Sequence, residues 1–216
     1  EDCKRYGTLP FAGLARGAFI AVQILKSLEN CGIITGRDYE AFMGGIHTVS
    51  SGMNQDFLEL SKEAFIKKYG HLRPGTYDIT SLRYDEAPEL YFEWNGKTQK
   101  PQNEKEEFRL SLQQLNLLKE KLTEHGLTND ILELMDFLGT VIEGREYGKF
   151  VFTRNLSRAI QLIGEIGKRE GISREDCAFI NIRAIYDLYA STRDVATSLL
   201  HSVSQGKQEF QITDSI

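Results

Sequence analysis

Cysteine, proline, surplus positive charge and nucleotide-binding motifs are all scarce or missing in this 216-residue chain. Each shortage closes off a class of protein. The three cysteines, Cys3, Cys31 and Cys177, are odd in number and far apart. They fit neither a disulfide framework nor a zinc site and suit a reducing compartment, so a cytoplasmic location is expected. With 26 basic residues against 31 acidic ones, the net charge is −5, and nucleic-acid binding is not expected. Charges interrupt the apolar stretches every few residues. No run approaches the roughly 18–20 residues of a membrane span, so no membrane contact is expected. The opening Glu1-Asp2-Cys3-Lys4 is polar and lacks a signal-type apolar core. The patterns GxxxxGK[ST], GxGxxG and GxSxG are absent, as are HExxH and paired CxxC. An independent ATPase, dehydrogenase or esterase is therefore poorly supported, and no metal site is expected. The chain begins with Glu rather than Met, which points to an excised domain or a processed product.

What remains is helix. Four prolines and plentiful Leu, Glu, Lys, Gln and Ile favour it. Apolar spacing predicts a helix over 9–29, with Gly32 as its stop. A second is predicted over 36–60, capped by Thr35 with Asp38 in its first turn. Gly44, Gly45 and Gly52 weaken that helix unless a neighbour packs closely. A short helix over 61–69 follows. Segment 70–103 is read as an irregular insert, with a type II turn at Pro74-Gly75 and a short extended piece near Leu90–Trp94. Beyond it, helices are expected over 104–124 and 128–170, the latter continuous or kinked at Gly144–Gly148. Ser173 with Asp176 looks like a cap before a short helix. Two more helices are expected over 181–189 and 194–203, with a fraying polar tail from Gln205. The expected fold is an all-α bundle. It is read as one domain of two helical blocks, about 8–69 and 104–204, joined by the insert.

Two segments concentrate side chains with chemistry. Tyr69-Gly70-His71-Leu72-Arg73-Pro74-Gly75-Thr76-Tyr77-Asp78 holds His, Arg, two Tyr and Asp in ten residues. His71 can bind or shuttle a proton, Arg73 can clamp an anion, and Tyr77 lies beside them. The same loop can equally be a packed elbow, with Arg73 paired to Asp78 or Asp85. The second segment runs from Gly144 to Arg158. On a helix, Arg145, Lys149 and Thr153 share a face, and Arg154 pairs in spacing with Arg158. Such a face can hold a phosphate or carboxylate, or simply be a solvated, ion-paired surface.

Three stretches carry a family resemblance: FAGLARGAFIAVQILKSL, FLELSKEAFIKKYGHLRPGTYDITSLRYDEAPELYF and GREYGKFVFTRNLSRAIQLIGEIGKREGISREDCAFI. Together they resemble the phosphoenolpyruvate synthase-like group, close to rifampin phosphotransferase and more distantly pyruvate phosphate dikinase. The resemblance covers about residues 9–190. It implies the helical central region of a phosphotransferase that, in its parent, works with an ATP-grasp domain and a mobile phosphohistidine domain. ATP and Mg are implied for the parent, and no cofactor for this chain. The Thr-Ser-His type segment of the phosphorylated histidine is absent, so His71 is not cast in that role. The expected function is non-catalytic: to hold the phosphoryl acceptor and dock the swivelling histidine domain. The substrate-binding candidates are His71, Arg73, Tyr77, Arg145, Lys149 and Arg154. The alternatives are a purely structural spacer and a self-contained small-ligand-binding protein.

Overall fold

The computed structural model describes residues 2–94, 106–127, 130–189 and 194–214. Among those residues the fold is all-α, without a strand. A π-helical turn over Cys3–Thr8 runs into α1 (Leu9–Asn30), followed by α2 (Gly36–Gly45), α3 (Val49–Glu59) and α4 (Lys62–Tyr69). After the 70–87 loop come α5 (Pro88–Tyr91), α6 (Leu112–Glu124) and α7 (Ile131–Arg169). The chain continues with α8 (Arg174–Cys177), α9 (Ile182–Asp187) and α10 (Val195–Asp214).

Local chemistry sets most of these boundaries. Thr35 and Asp38 form a reciprocal capping box: the Asp38 N–H donates to Thr35 Oγ1 at 3.1 Å and the Thr35 N–H to Asp38 Oδ2 at 2.8 Å. Ser173 caps α8 by accepting the Asp176 N–H at 3.0 Å. Gly32 stops α1 with φ +70, and the Ile33 N–H reaches back to the Leu28 carbonyl at 3.0 Å.

Several expectations need correction. The helix expected over 36–60 is two helices. Gly44 and Gly45 end α2, since nothing packs within 4 Å of where their Cβ atoms would lie, and Thr48 caps α3 through the Ser51 N–H at 3.1 Å. The piece at Leu90–Trp94 is in part a single helical turn, α5. Residues 95–103 of the expected flexible loop lie outside the described residues. Residues 106–111 are not helical, because Ser111 and Gln114 make a capping box that starts α6 at Leu112. By contrast α7 runs unbroken through Gly144 and Gly148, where Leu14 of α1 packs so closely that a Cβ on Gly148 would lie 2.9 Å from Leu14 Cδ1. The polar tail stays helical to Asp214.

The π turn and α1 together, Cys3–Asn30, form a 28-residue helix with an 18-residue window of mean hydropathy 1.5. That is long and apolar enough to cross a membrane, contrary to the sequence expectation. Arg16 is the one charged residue from Tyr6 to Leu25, and Ala and Gly fill the gaps between the large apolar side chains.

The chain sorts into two compact units. The first is Glu1–Phe65 with Glu93–Phe152, and the second is Ile66–Phe92 with Thr153–Ile216. They interleave along the sequence, with α4 and α7 each contributing to both. In the first unit, Ala18, Ala21 and Leu25 of α1 meet Leu118 of α6 and Leu138 of α7, all five fully buried. Small residues on α1 let the larger leucines seat against its backbone. In the second unit, Ile172, Cys177, Leu199 and Val203 form the core, with Ile79 of the loop and Ile166 of α7 packed on it.

Candidate functional site

The 70–87 loop belongs to the second unit, and its folding explains its composition. Two arginines hold it. Arg73 is 7 % exposed and Arg83 is 9 % exposed. Arg73 Nη1 donates to the carbonyls of Asp78 and Ser81, each at 3.2 Å. Its Nη2 donates to Ser157 Oγ at 3.2 Å and to the Ser157 carbonyl at 3.4 Å on α7. Its Nε is buried without a hydrogen-bond partner. Burial pulls the guanidinium below the ordinary arginine range; the Glu86 carboxylate opposes this, while the Arg83 and Arg174 charges add to it. Arg73 remains a cation all the same.

Arg83 forms a fork with Asp85, donating from Nε to Oδ1 at 2.9 Å and from Nη2 to Oδ2. Its Nη1 donates to Gln161 Oε1 of α7 at 2.6 Å. Glu86 accepts the Arg83 N–H at 2.9 Å and pairs with Arg174 Nη2 at 2.9 Å. Backbone bonds complete the elbow: the Tyr84 N–H donates to the Leu72 carbonyl at 2.9 Å and the Asp85 N–H to the Gly70 carbonyl at 3.1 Å. The type II turn expected at Pro74-Gly75 does not form, because Gly75 lacks the positive φ it requires. Gly75 is needed for space instead. A Cβ there would lie 2.8 Å from Asp78 Cβ. Its N–H donates to Ser81 Oγ at 3.1 Å.

Glu86 carries a pH dependence. Burial is the strongest single influence and raises its pKa, but the Arg174 hydrogen bond, the Arg83 N–H and the Arg174 and Arg73 charges together outweigh it. The carboxyl therefore titrates below its ordinary value of 4.5. A depressed carboxyl contributes stability that is fully present above the unfolded value and is lost as pH falls through the folded one. Glu86→Gln is thus expected to flatten the loss of stability as pH falls below the ordinary carboxyl value of 4.5, as read from urea midpoints. An equally steep acid loss in the variant would assign the pH dependence elsewhere.

The loop also borders a cavity of about 270 Å³ in the second unit. Tyr77, Asp78 and Ile79 line it from the loop, Ile160 and Ile163 from α7, and Cys177, Ala178, Ile180, Ile182 and Ile185 from the α8–α9 region. Tyr77 is 67 % exposed, so it stands at the rim. Asp78 accepts the Thr80 N–H and hydroxyl at 2.8 and 2.7 Å, and these bonds hold its carboxyl below the usual range. Burial pushes the Cys177 thiol up, which keeps it protonated and unreactive. A larger groove of about 740 Å³ lies between α9 and α10, but Arg183, Asp187, His201 and Gln205 on it are solvent-exposed. No group of three or more His, Cys, Asp or Glu gathers as a metal site among the described residues.

The six candidates are divided between the two units. His71 and Arg73 are buried beneath the loop, and Tyr77 stands at the cavity rim. Arg154 is an exposed residue of the second unit. Arg145 and Lys149 lie in the first unit, where Arg145 pairs with Glu146 at 2.6 Å instead of facing an open anion site. Thr153, expected to share their helix face, is 4 % exposed. Sequence reasoning missed Arg83, Ser157, Gln161 and Arg174 as loop anchors. Ile160 and Ile163 of α7 border a cavity that the apolar spacing of the helix alone does not show. No family model, curated protein or solved structure matches the chain.

Proposed function

We propose that this chain is the acceptor-side helical region of a phosphoenolpyruvate synthase-like phosphotransferase, without catalytic groups of its own. In the parent protein it works beside ATP-grasp and phosphohistidine domains, with ATP and Mg bound elsewhere. The observation that carries this reading is the isoleucine-lined cavity beside the anchored loop, with Tyr77 at its rim. Apolar walls with a few polar groups at the mouth suit a small hydroxyl-bearing acceptor with an apolar body. Arg73 serves as a positioning residue, because its hydrogen bonds go to the loop and to α7.

One observation favours the spacer reading: His71 and Arg73 are buried within the elbow. A thermal-shift series on the full chain separates the two. The probes are ATP with magnesium, phosphoenolpyruvate, pyruvate and a panel of small apolar alcohols. The acceptor reading expects a saturable shift with an alcohol, worth about 2.7 kcal/mol at a hundredfold excess over Kd. Tyr77→Ala is expected to weaken it about tenfold, while changing the unliganded protein by less than about 0.5 kcal/mol. No shift with any probe leaves the spacer reading standing, and a saturable shift with ATP overturns both.

A further inference from the structure

The first unit carries a feature that the acceptor reading leaves unused. In α1 the inward side is committed: Ala18, Ala21, Leu25 and Leu28 are all within the core. The opposite side is exposed and carries large apolar side chains. Leu9, Gly13, Arg16, Ile20 and Gln23 follow at intervals of three and four, so they form one line along the helix, all exposed. Phe19 lies beside it. Leu9 is 71 % exposed, Phe19 61 % and Ile20 56 %. The π turn adds Tyr6 at 70 %.

Charge on this helix is mostly positive. Along Cys3–Asn30 one carboxylate, Glu29, stands against four cations, Lys4, Arg5, Arg16 and Lys26, in a chain whose net charge is −5. All four are exposed, and none forms an ion pair among the described residues. Arg5 lies over the Tyr6 ring at 5.9 Å. Arg145 of α7 lies over the Phe19 ring at 5.9 Å, bringing a further cation to the patch, with its Glu146 partner beside it.

We propose that this face of α1 docks on an anionic lipid surface, with the helix lying flat in the headgroup region. Large exposed apolar side chains and an excess of cations on the same helix are the combination that binds there. Leu9, Phe19 and Ile20 enter the acyl boundary, while Arg16 and Lys26 extend their aliphatic stems and keep their charges among the headgroups. A crossing orientation is excluded by the core: it would strip Ala18, Ala21 and Leu25 from Leu118 and Leu138.

The test is vesicle co-sedimentation of the full chain, with phosphatidylcholine alone and with phosphatidylcholine containing phosphatidylglycerol. Binding is expected on the anionic vesicles, weakened by high salt and far lower on the neutral ones. The double substitution Phe19→Ser with Ile20→Ser is expected to lower partitioning about tenfold or more. Arg16→Glu is expected to lower it on anionic vesicles only. All three positions are exposed, and unchanged circular dichroism confirms that the variants fold. No binding to anionic vesicles overturns the proposal, as does binding unaffected by the double substitution. A dimer in sedimentation that the double substitution dissociates, without vesicle binding, also overturns it and assigns the face to a second copy of the chain.

Discussion

Arg73→Met is expected to cost about 3 kcal/mol of stability, the upper end of what leaving buried acceptors without their donor costs. The guanidinium donates to the carbonyls of Asp78, Ser81 and Ser157 and to the Ser157 hydroxyl. Hydrogen bonds from a charged donor contribute about 1.5–3 kcal/mol each, and neighbours sharing one donor group do not add in full. Methionine fills much of the volume but leaves those acceptors without their donor. Arg73→Lys rescues only part, because one ammonium cannot reproduce a planar fork that reaches the loop and α7 together. The measurement is urea denaturation, comparing midpoints and slopes. A change below about 0.5 kcal/mol, the range of ordinary surface substitutions, would show that Arg73 is not the anchor of the elbow. If acceptor binding were then lost as well, Arg73 would be a ligand-binding residue after all. Fold and function therefore give opposite answers for this one side chain.

That ambiguity was built into the sequence. A His, an Arg, two Tyr and an Asp around turn residues describe a site and an elbow equally well. The decision rests on Ser157, 84 positions away from Arg73, and on Gln161, 78 positions from Arg83. No local pattern announces such a partner. Where both partners are local the sequence was readable: Thr35 with Asp38, and Ser173 with Asp176, are three residues apart and cap their helices as expected. Glycines were harder, because their effect depends on what faces them. Gly44 and Gly45 face nothing and end a helix, whereas Gly148 faces Leu14 and sits inside one. The tail after Gln205 was misread for the same reason. It stays helical through distant contacts: Phe210 meets the Phe179 ring at 5.8 Å, Lys207 pairs with Asp176, and a Cβ on Gly206 would lie 2.2 Å from the Phe179 carbonyl oxygen. The apolar length of α1 was legible in the sequence and passed over, since Arg16 is the one charged residue from Tyr6 to Leu25.

Phe65→Ala is expected to cost about 3–5 kcal/mol, with an optical signature to locate the damage. Phe65 of α4 is fully buried. Its ring lies edge-on to Phe57 at 5.5 Å and to Trp94 at 5.7 Å, and Phe57 meets Trp94 at 5.2 Å. These three rings join α3, α4 and the chain after α5 within the first unit, and the Lys62 ammonium caps the indole at 5.7 Å. Tilted and edge-to-face pairs add about 0.5–1.5 kcal/mol each beyond the area they bury. Removing the central ring thus loses transfer energy and the ring contacts with Phe57 and Trp94, and leaves a cavity that the remaining rings fill only in part. Phe65→Leu retains most of the volume and is expected to cost less than about 1.5 kcal/mol. Trp94 is the only tryptophan in the chain, so its emission reports this cluster alone. Phe65→Ala should shift that emission to the red before global unfolding begins, as water reaches the indole face that Phe65 covers. An unshifted spectrum together with a loss of 3–5 kcal/mol would mean that Phe65 stabilises the unit through α4 rather than through the aromatic cluster. A loss below about 1 kcal/mol would mean that the site collapses around the smaller side chain and that the three rings do not act as a packed core.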